Sequence, residues 1–212
     1  MPLTFSLLAI SDRRSLPAAG LDMTDWLRAL AEAGIGAVQI REKDLEDGAL
    51  YDLTRGARAA LKSSMLPATR VLVNGRLDIA LAAGADGAHL PADGLPAAPL
   101  RARFGSGPLL GRSTHSTEEV ERARDEGVDY VVFGPVYPTP GKGEPVGLPA
   151  LARAVRAAGE GVPVLALGGV TLQRFGDVVA AGAAGVAAIR LFQDAADLSS
   201  VARAARESFG KS

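Results

Sequence analysis

Short apolar runs recur along this chain, and nearly all of them end in a polar or glycine-rich cluster. VQI is followed by Arg41-Glu42-Lys43, VLV by Asn74-Gly75-Arg76, and VLAL by Gly168-Gly169. A run that is apolar on both faces is typical of a parallel strand that is buried on both sides. In a (β/α)8 barrel the active site lies at the C-terminal ends of the strands. The sequence therefore predicts a parallel barrel and the position of its site.

A local pattern precedes several of these runs: a small residue, a glycine, a short turn and then the apolar strand. It occurs as AEAGIGAVQIR, LAAGADGAHLP, RDEGVDYVVFGP and VAAGAAGVAAIR. Glycine just past the last helical turn is a common helix cap. The alternation predicts strands at 5–11, 37–42, 70–74, 87–91, 109–113, 130–135, 163–168 and 185–191. It predicts helices at 22–33, 47–63, 76–83, 97–104, 116–126, 148–158, 171–181 and 195–208.

The eightfold alternation contains no long linker, which favours one barrel domain over residues 1–212 rather than two domains. A doubly wound open sheet is the structural alternative. Its usual nucleotide-binding motif, G-x-G-x-x-G after the first strand, is absent from the sequence, because that turn reads Ser11-Asp12-Arg13-Arg14-Ser15. We therefore predict an α/β protein with a single (β/α)8 TIM barrel.

Composition and charge exclude several other classes. The formal net charge is −1, which gives no general attraction to nucleic acid or to an anionic membrane. Without any cysteine, the chain can form neither a disulfide nor a cysteine-ligated metal site. The longest apolar stretch, 178–189, is broken by glycines and is too short to span a bilayer. The N-terminal segment has no basic leader, so we expect a cytoplasmic protein without nucleic-acid or membrane partners.

A glycine pair marks a candidate phosphate site. Gly168-Gly169 ends the predicted seventh strand, and Arg190 lies at the end of the predicted eighth. In such barrels the loops after these two strands commonly bind phosphate through backbone N–H groups, which glycines leave unobstructed. Arg190 would add a charge-assisted contact. Two alternatives stay open: the glycines only make a tight turn, and Arg190 points outward to pair with an acid such as Asp194.

Other polar residues lie at the ends of the second, third and fifth predicted strands. Gln39, Arg41 and Lys43 alternate, so they are expected to share one face of the strand. Inside a barrel such groups are costly unless they meet an anion or a polar network; an exposed strand end is the alternative. Asn74 offers an amide to a ring nitrogen or a carboxylate, and Ser113 ends the fifth strand.

The chain has two histidines. His115 follows the Ser113-Thr114 strand end and is well placed for proton transfer at the rim of the site. His89 lies within the fourth strand and is expected to be a packed, hydrogen-bonded core residue. Since no acidic cluster accompanies the histidines, no metal site is predicted from them.

The segment 137–148, YPTPGKGEPVGL, combines three prolines, three glycines and Lys142 after the sixth predicted strand. An extended loop at this end of a barrel is typical of an active-site lid. A tolerated surface insertion is the alternative.

Five strand-end motifs, taken in order, resemble the thiamine phosphate synthase/TenI superfamily. They are Gln39-x-Arg41-x-Lys43, Val73-Asn74 with Arg76-x-Asp78-Ile79-Ala80, Gly111-x-Ser113-Thr114-His115-Ser116, 133–139 (FGPVYPT), and Ala166-x-Gly168-Gly169. The resemblance covers almost the whole chain. It implies a thiamine-metabolism barrel that binds a small phosphorylated thiazole, with a homodimer as the expected assembly.

Four departures from the family pattern bear on which reaction the resemblance implies. The synthase joins a pyrimidine diphosphate to a thiazole phosphate, with Mg2+ neutralising the leaving diphosphate. Its metal-binding carboxylates follow the third-strand Asn and lie in a His-Leu-Gly-Gln-x-Asp motif. Gly75 and Gly94 stand at those positions here, and Asp93 is one residue out of register. The lid motif Thr-x-Thr-Lys reads Thr139-Pro140-Gly141-Lys142, and Arg190 replaces the family's eighth-strand Ser.

The motifs of the third to fifth strands are more similar to TenI-type thiazole tautomerases, which move a proton on a thiazole phosphate carboxylate without a metal. One departure opposes this likeness, since the tautomerase histidine after the sixth-strand Gly is Pro135 here. The expectation is a metal-independent tautomerase that needs no cofactor and uses His115 as acid/base. The resemblance assigns substrate contacts to Gln39, Arg41, Lys43, Asn74, Ser113, Thr139 and Lys142. It assigns phosphate contacts to Gly168, Gly169 and Arg190.

Two other functions remain open from the sequence. One is a divergent thiamine phosphate synthase that requires Mg2+, in which Asp93 and a neighbouring carboxylate restore metal binding. The other is a non-catalytic barrel that binds thiazole or thiamine phosphates and regulates the pathway.

Overall fold

The computed structural model describes residues 3–16, 20, 22–62 and 69–210. Eight parallel strands close into a barrel in sequence order, and β8 pairs with β1 through Ala187 and Leu8. The prediction of a single (β/α)8 barrel is confirmed. The strands are β1 (Leu7–Ile10), β2 (Ala37–Ile40), β3 (Arg70–Asn74), β4 (Gly87–Leu90), β5 (Leu109–Thr114), β6 (Tyr130–Phe133), β7 (Val164–Leu167) and β8 (Gly185–Ala188).

Helices follow the strands around the outside of the barrel. They are α1 (Met23–Ala33), α2 (Asp47–Lys62), α3 (Leu77–Ala82), α4 (Ala97–Phe104), α5 (Thr117–Asp125), α6 (Gly147–Ala158), α7 (Phe175–Ala180), α8 (Arg190–Gln193) and α9 (Leu198–Phe209). A 3-10 turn, Leu172–Arg174, precedes α7. The predicted helices are all found, whereas α8 was not expected; the last residue of the second predicted helix, 63, lies outside the described residues.

Six strands (β1, β2, β4, β6, β7 and β8) end one to three residues earlier than the sequence predicts. Beyond β2, the amide of Arg41 donates to the Ser11 hydroxyl instead of continuing the ladder (2.9 Å). Beyond β8, the carbonyl of Ile189 accepts from two amides of α8, so the chain turns into a helix there. After β8 the apolar residues Ile189 and Leu191 extend past the ladder, which is why hydrophobic periodicity overestimates that strand. After β2 the polar residues Arg41 and Glu42 follow at once.

Side-chain caps begin the helices that the sequence marks most clearly. Asp22 caps α1 by accepting from the amide of Asp25 (2.8 Å). Ser116 caps α5 by accepting from the amide of Glu119 (3.3 Å), as the capping-box spacing predicts. The Glu119 carboxylate reaches back to the amide of His115 (2.6 Å), one residue before the cap. This contact fixes the start of the loop that carries His115.

The lower half of the barrel interior is apolar and filled. Its buried residues are Leu3, Phe5, Leu8, Ile10, Ala37, Leu72, Tyr130, Val132, Leu165 and Ala187. The ring of Tyr130 packs edge-on against Phe5, with centroids 5.6 Å apart. Gly111 makes room for that ring, because a Cβ there would lie 2.1 Å from Tyr130 Cζ. Polar interior residues are therefore left to the upper layer, at the C-terminal ends of the strands.

Among the described residues, no helix has both the length and the apolar character that crossing a bilayer requires.

Candidate functional site

An amide pair forms part of the upper interior layer. Gln39 on β2 is buried, and its Nε2 donates to Asn74 Oδ1 on β3 (2.9 Å). Gln39 Oε1 is also buried and has no hydrogen-bond partner among the residues that the structure describes. An unpartnered buried acceptor costs about 1–3 kcal/mol. With Oδ1 engaged, Asn74 still has the two N–H donors of its Nδ2. The pair therefore suits a ligand that donates to Gln39 Oε1 and accepts from Asn74.

A second polar group in this layer joins three strands. His89 on β4 is 2% exposed, and its Nδ1 lies 3.0 Å from Tyr130 Oη on β6. Its Nε2 lies 2.9 Å from Ser113 Oγ on β5. Burial, together with the charges of Arg112 and Arg41, lowers the pKa of His89 to about 3. The imidazole is neutral at physiological pH, which confirms the prediction of a packed core histidine.

The two cations predicted to alternate along β2 lie in the loop after the strand and not within it. Arg41 is half-buried in the loop after Ile40, and Lys43 is exposed two residues further on. The prediction that Gln39, Arg41 and Lys43 share one face of the strand is therefore wrong, because β2 includes Gln39 but ends before the two cations. The charge of Arg41 nevertheless lowers the pKa of His89, so it acts on the barrel interior.

Three cations around the mouth have no anionic partner. Within the part of the chain that the structure describes, no carboxylate pairs with Arg41, Lys43 or Lys142. By contrast, Arg13 pairs with Asp44, and Arg76 pairs with acidic residues on both sides of it. Unpaired cations at one end of a barrel favour an anionic ligand.

A buried carboxylate that sequence reasoning missed positions the loop of Arg41. Glu42 accepts from Ser11 Oγ (2.5 Å) and from the amide of Arg13 (3.1 Å). Burial raises the pKa of Glu42, while these hydrogen bonds oppose the rise. The contacts tie the loop after β1 to the loop after β2. No local signal in the sequence links Ser11 to Glu42, because they lie on different strand ends.

The glycine pair after β7 packs tightly against the lid segment. Gly168 and Gly169 have φ angles of 96° and 62°. The Gly168 carbonyl accepts from the amide of Tyr137 (3.0 Å), and a Cβ on Gly168 would lie 2.6 Å from Pro135 Cβ. A tight turn is thus one reason why glycines occupy these two positions. No backbone carbonyl in the described ranges accepts from the amide of Gly169, so the phosphate role stays a prediction.

Arg174 supports the glycine pair and was not expected from the sequence. Its guanidinium donates to the Gly169 carbonyl (2.5 Å) and lies 4.2 Å from the centroid of the Tyr137 ring. A carbonyl held on one side directs the N–H of the same planar peptide unit, here that of Val170, to the other side. Arg174 therefore sets the orientation of the backbone at the predicted phosphate site.

We expect Arg174→Ala to raise the dissociation constant for a thiazole phosphate about tenfold, measured by calorimetry, because the Gly169–Val170 peptide loses a charge-assisted hydrogen bond. Arg153→Ala is the matched control, since Arg153 is exposed and its loss removes the same charge. Equal affinities for the two variants would show that Arg174 does not act on the phosphate.

The remaining predicted residues lie around the rim. Thr139 Oγ1 donates to the Tyr137 carbonyl within the lid segment (2.9 Å), and Lys142 is exposed at its tip. Arg190 is exposed at the start of α8, not within a strand as predicted. In the described part of the chain it forms no ion pair with Asp194, so that alternative is not supported.

His115 is exposed beside the sixth-strand loop. Its Nδ1 lies 2.5 Å from the Gly134 carbonyl, which can only accept a hydrogen bond. A neutral His115 therefore carries its proton on Nδ1 and presents an unprotonated Nε2. This geometry is compatible with a general base, and the catalytic role stays a prediction.

The residues at the mouth do not fit a carboxylate-bound Mg2+, which prefers oxygen ligands in octahedral geometry. Gly75 and Gly94 carry no ligand, and Asp93 is exposed. Over residues 3–16, 20, 22–62 and 69–210, no group of three or more His, Asp or Glu side chains could hold a metal ion. We therefore derive no chemical step through a metal from this arrangement.

Comparisons with known proteins agree on one family. The sequence profile described as thiamine monophosphate synthase matches residues 7–192. A putative thiamine-phosphate synthase from Geobacter sulfurreducens is 44% identical over 188 residues, covering 87% of this chain and 85% of that protein. Thiamine-phosphate synthase from Moorella thermoacetica is 37% identical over 191 residues, covering 89% of each. The solved thiamine phosphate pyrophosphorylase from Pyrococcus furiosus superposes with a TM-score of 0.82 at 26% identity, covering 98% of this chain and 96% of that one.

Proposed function

The chain belongs to the thiamine monophosphate synthase family, and from that premise we propose that it is a thiamine phosphate synthase. It would join a hydroxymethylpyrimidine diphosphate to a thiazole phosphate and release diphosphate. The relatives described above carry synthase or pyrophosphorylase names. The expected closeness to TenI-type tautomerases is not confirmed by them, and they favour the synthase alternative.

The observation that carries this proposal is the unpartnered Gln39 Oε1 beside Asn74. An aminopyrimidine offers an amino N–H and an adjacent ring nitrogen, which match this acceptor and the Asn74 donor. A thiazole ring bearing a carboxylate and a phosphate carries only acceptors. A buried acceptor that needs a donor therefore supports a pyrimidine substrate and has no use in the tautomerase reaction.

The unpaired cations suit the second part of the same substrate. A pyrimidine held by Gln39 and Asn74 would direct its diphosphate toward the mouth, where Arg41, Lys43 and Lys142 have no carboxylate partner in the described ranges. Because the mouth does not fit a carboxylate-held Mg2+, the proposal places the charge of the diphosphate on these side chains. The thiazole phosphate would lie on the Gly168–Gly169 side.

The chemistry needs little from a general base. The bond between the pyrimidine methylene carbon and the diphosphate oxygen breaks, and a bond from the thiazole nitrogen to that carbon forms. The electron pair leaves with the diphosphate, and no proton moves in the bond-forming step. His115, expected to act as acid/base in a tautomerase, has no required proton transfer in this reaction. The residues at the mouth would bind and orient the substrates and neutralise the charge of the diphosphate.

Gln39→Met tests the proposal most directly, because methionine keeps the shape of the side chain and removes the acceptor. We expect it to weaken binding of the pyrimidine diphosphate roughly 10- to 100-fold, equivalent to about 1–3 kcal/mol. The affinity for thiazole phosphate should change less than twofold. Calorimetry with each substrate gives both constants. Gln173→Met is the control, since Gln173 is exposed and distant in sequence from the amide pair.

A steady-state assay completes the test. The protein is incubated with both synthase substrates, with and without Mg2+, and separately with the thiazole carboxylate tautomer. Thiamine phosphate formation that falls in Gln39→Met supports the proposal. A protein that forms no thiamine phosphate, or whose Gln39→Met variant binds the pyrimidine unchanged, is not the enzyme proposed.

A metal-independent tautomerase is the second candidate, and one observation favours it: glycines stand at both positions where the synthase motif carries metal-binding carboxylates. Turnover of the tautomer without thiamine phosphate formation would establish it. Tight binding of thiazole phosphate with neither activity would instead indicate the non-catalytic regulator.

A further inference from the structure

The chain Tyr130–His89–Ser113 crosses the barrel interior and ends at the mouth. Tyr130 Oη contacts His89 Nδ1 at 3.0 Å, and His89 Nε2 contacts Ser113 Oγ at 2.9 Å. Tyr130 and His89 are 0% and 2% exposed, whereas Ser113 is half-buried. Two buried members thus support one member that a ligand can reach.

The direction of each hydrogen bond follows from counting donors and acceptors. A neutral imidazole donates from one ring nitrogen and accepts at the other. Burial raises the pKa of Tyr130 well above its usual range, so its phenol keeps the proton. Within the described ranges, His89 Nδ1 is the one hydrogen-bond partner of Tyr130 Oη. If Nδ1 carried the His89 proton, the Tyr130 hydrogen would be buried without an acceptor.

One arrangement leaves no buried donor unpaired. Tyr130 O–H donates to Nδ1, and Nε2–H of His89 donates to Ser113 Oγ. The Ser113 hydrogen is then free, because its oxygen has already accepted from His89. A hydroxyl held in this way has its hydrogen free to donate to a ligand in the mouth, while His89 occupies one of the two lone pairs of its oxygen.

We propose that Tyr130 and His89 are positioning residues that fix Ser113 as a hydrogen-bond donor toward an oxyanion of the substrate. This inference rests on the proposed function for the identity of the ligand, a phosphate or diphosphate oxygen. The direction of the hydrogen bonds does not depend on the proposed function, because the protein sets that direction without substrate.

The neighbouring charges fit an oxyanion at this place. Arg41 and Arg112 are the charged groups that act on His89. The guanidinium of Arg112 is directed to the carbonyls of Leu95, Ala92 and Gly94, on the loop after β4. Arg41 has no carboxylate partner in the described part of the chain. A donor hydroxyl at a barrel mouth that also carries a cation without a carboxylate partner is suited to an anionic oxygen.

Nitrogen-15 NMR of the full chain tests the direction without any substrate. The protein has two histidines, and they should report opposite tautomers: His89 with its proton on Nε2, and neutral His115 with its proton on Nδ1. A His115→Gln variant assigns the two rings. Finding His89 protonated on Nδ1 would overturn the proposal.

Two variants link the tautomer to binding. Tyr130→Phe removes the donor to Nδ1, and we expect His89 to become a mixture of both tautomers. Tyr51→Phe on α2 is the matched control and should leave His89 unchanged. Ser113→Ala should keep the Nε2 tautomer, because Tyr130 sets it, and should raise the dissociation constant for inorganic diphosphate at least tenfold.

The outcomes separate this inference from the proposed function. Unchanged diphosphate affinity in Ser113→Ala, or an unchanged tautomer in Tyr130→Phe, contradicts the positioning role even in an active synthase. The expected tautomers and binding loss in a protein without synthase activity would support the positioning role and contradict only the proposed reaction.

Discussion

Gly168→Ala is expected to lower both the stability of the barrel and its affinity for phosphate. The φ angle of Gly168 is 96°, a conformation that costs an L-residue roughly 1–3 kcal/mol. The new Cβ would also lie 2.6 Å from Pro135 Cβ and 2.7 Å from Pro135 Cα. Forcing a methyl group into so close a contact adds about 1–3 kcal/mol. Because Pro135 is part of a loop that is hydrogen-bonded to β7, it cannot move away without breaking those bonds.

Thermal unfolding and calorimetry measure the two parts of this effect. We expect the melting temperature to fall by about 10 °C, given the size of the protein, and thiazole phosphate binding to weaken more than tenfold. Gly176→Ala is the control on the neighbouring helix α7. No heavy atom lies within 4 Å of a Cβ there, and a helical Gly→Ala change stabilises by about 0.5–1 kcal/mol. If both variants unfold like the unmodified protein, the strain argument is wrong.

The protein is expected to lose stability as the pH falls from about 6.5 toward 3, because of His89. Burial lowers the pKa of the folded-state imidazole from 6.5 to about 3. Below pH 6.5 the unfolded chain therefore binds a proton that the folded chain does not bind until about pH 3. The resulting loss is about 1.4 kcal/mol per pH unit within this window, and above pH 6.5 the group contributes no pH dependence.

His89→Gln isolates this contribution, because glutamine is polar but does not titrate. The free energy of unfolding of both proteins is measured in urea at several values between pH 7 and pH 4. Carboxylates contribute equally to both series of unfolding free energies. The difference between the two proteins at each pH therefore gives the contribution of His89. We expect the difference to change by about 3 kcal/mol from pH 6.5 to pH 4.5. Parallel curves would mean that His89 is protonated as easily in the folded protein as in the unfolded chain.

The sequence predicted which strand ends carry polar residues, but not how the structure holds those residues. The strand ends do carry Gln39, Asn74, Ser113 and the glycine pair, as hydrophobic periodicity and barrel geometry predict. Arg41 and Arg190 were placed on strands that end before them. The apolar pattern continues past β8 but stops at Arg41 after β2, and in both places the backbone hydrogen bonds change partner. The hydrophobic pattern of the side chains does not show at which residue the backbone hydrogen bonds between two strands end.

Two site-shaping residues gave no signal at all. Glu42 precedes a lysine in a polar cluster, and nothing local indicates that it is buried against Ser11. Arg174 lies in a 3-10 turn, and its contact with the Gly169 carbonyl depends on the path of that turn. Both contacts join segments whose relative positions follow from packing around the barrel, so a linear pattern cannot indicate them.

The sequence by itself determined the alternation of strands and helices, and with it the barrel, and the motifs at its strand ends carry the resemblance to the family. Those properties follow from hydrophobic periodicity and from the type of residue at each strand end, which are both local. The tertiary structure alone decided which polar groups meet. Gln39 with Asn74, and Tyr130 with His89 and Ser113, are partners because neighbouring and more distant strands bring them together inside a closed barrel. Their hydrogen-bond directions and the pKa of His89 depend on those partners and on burial, and neither exists until the barrel is closed.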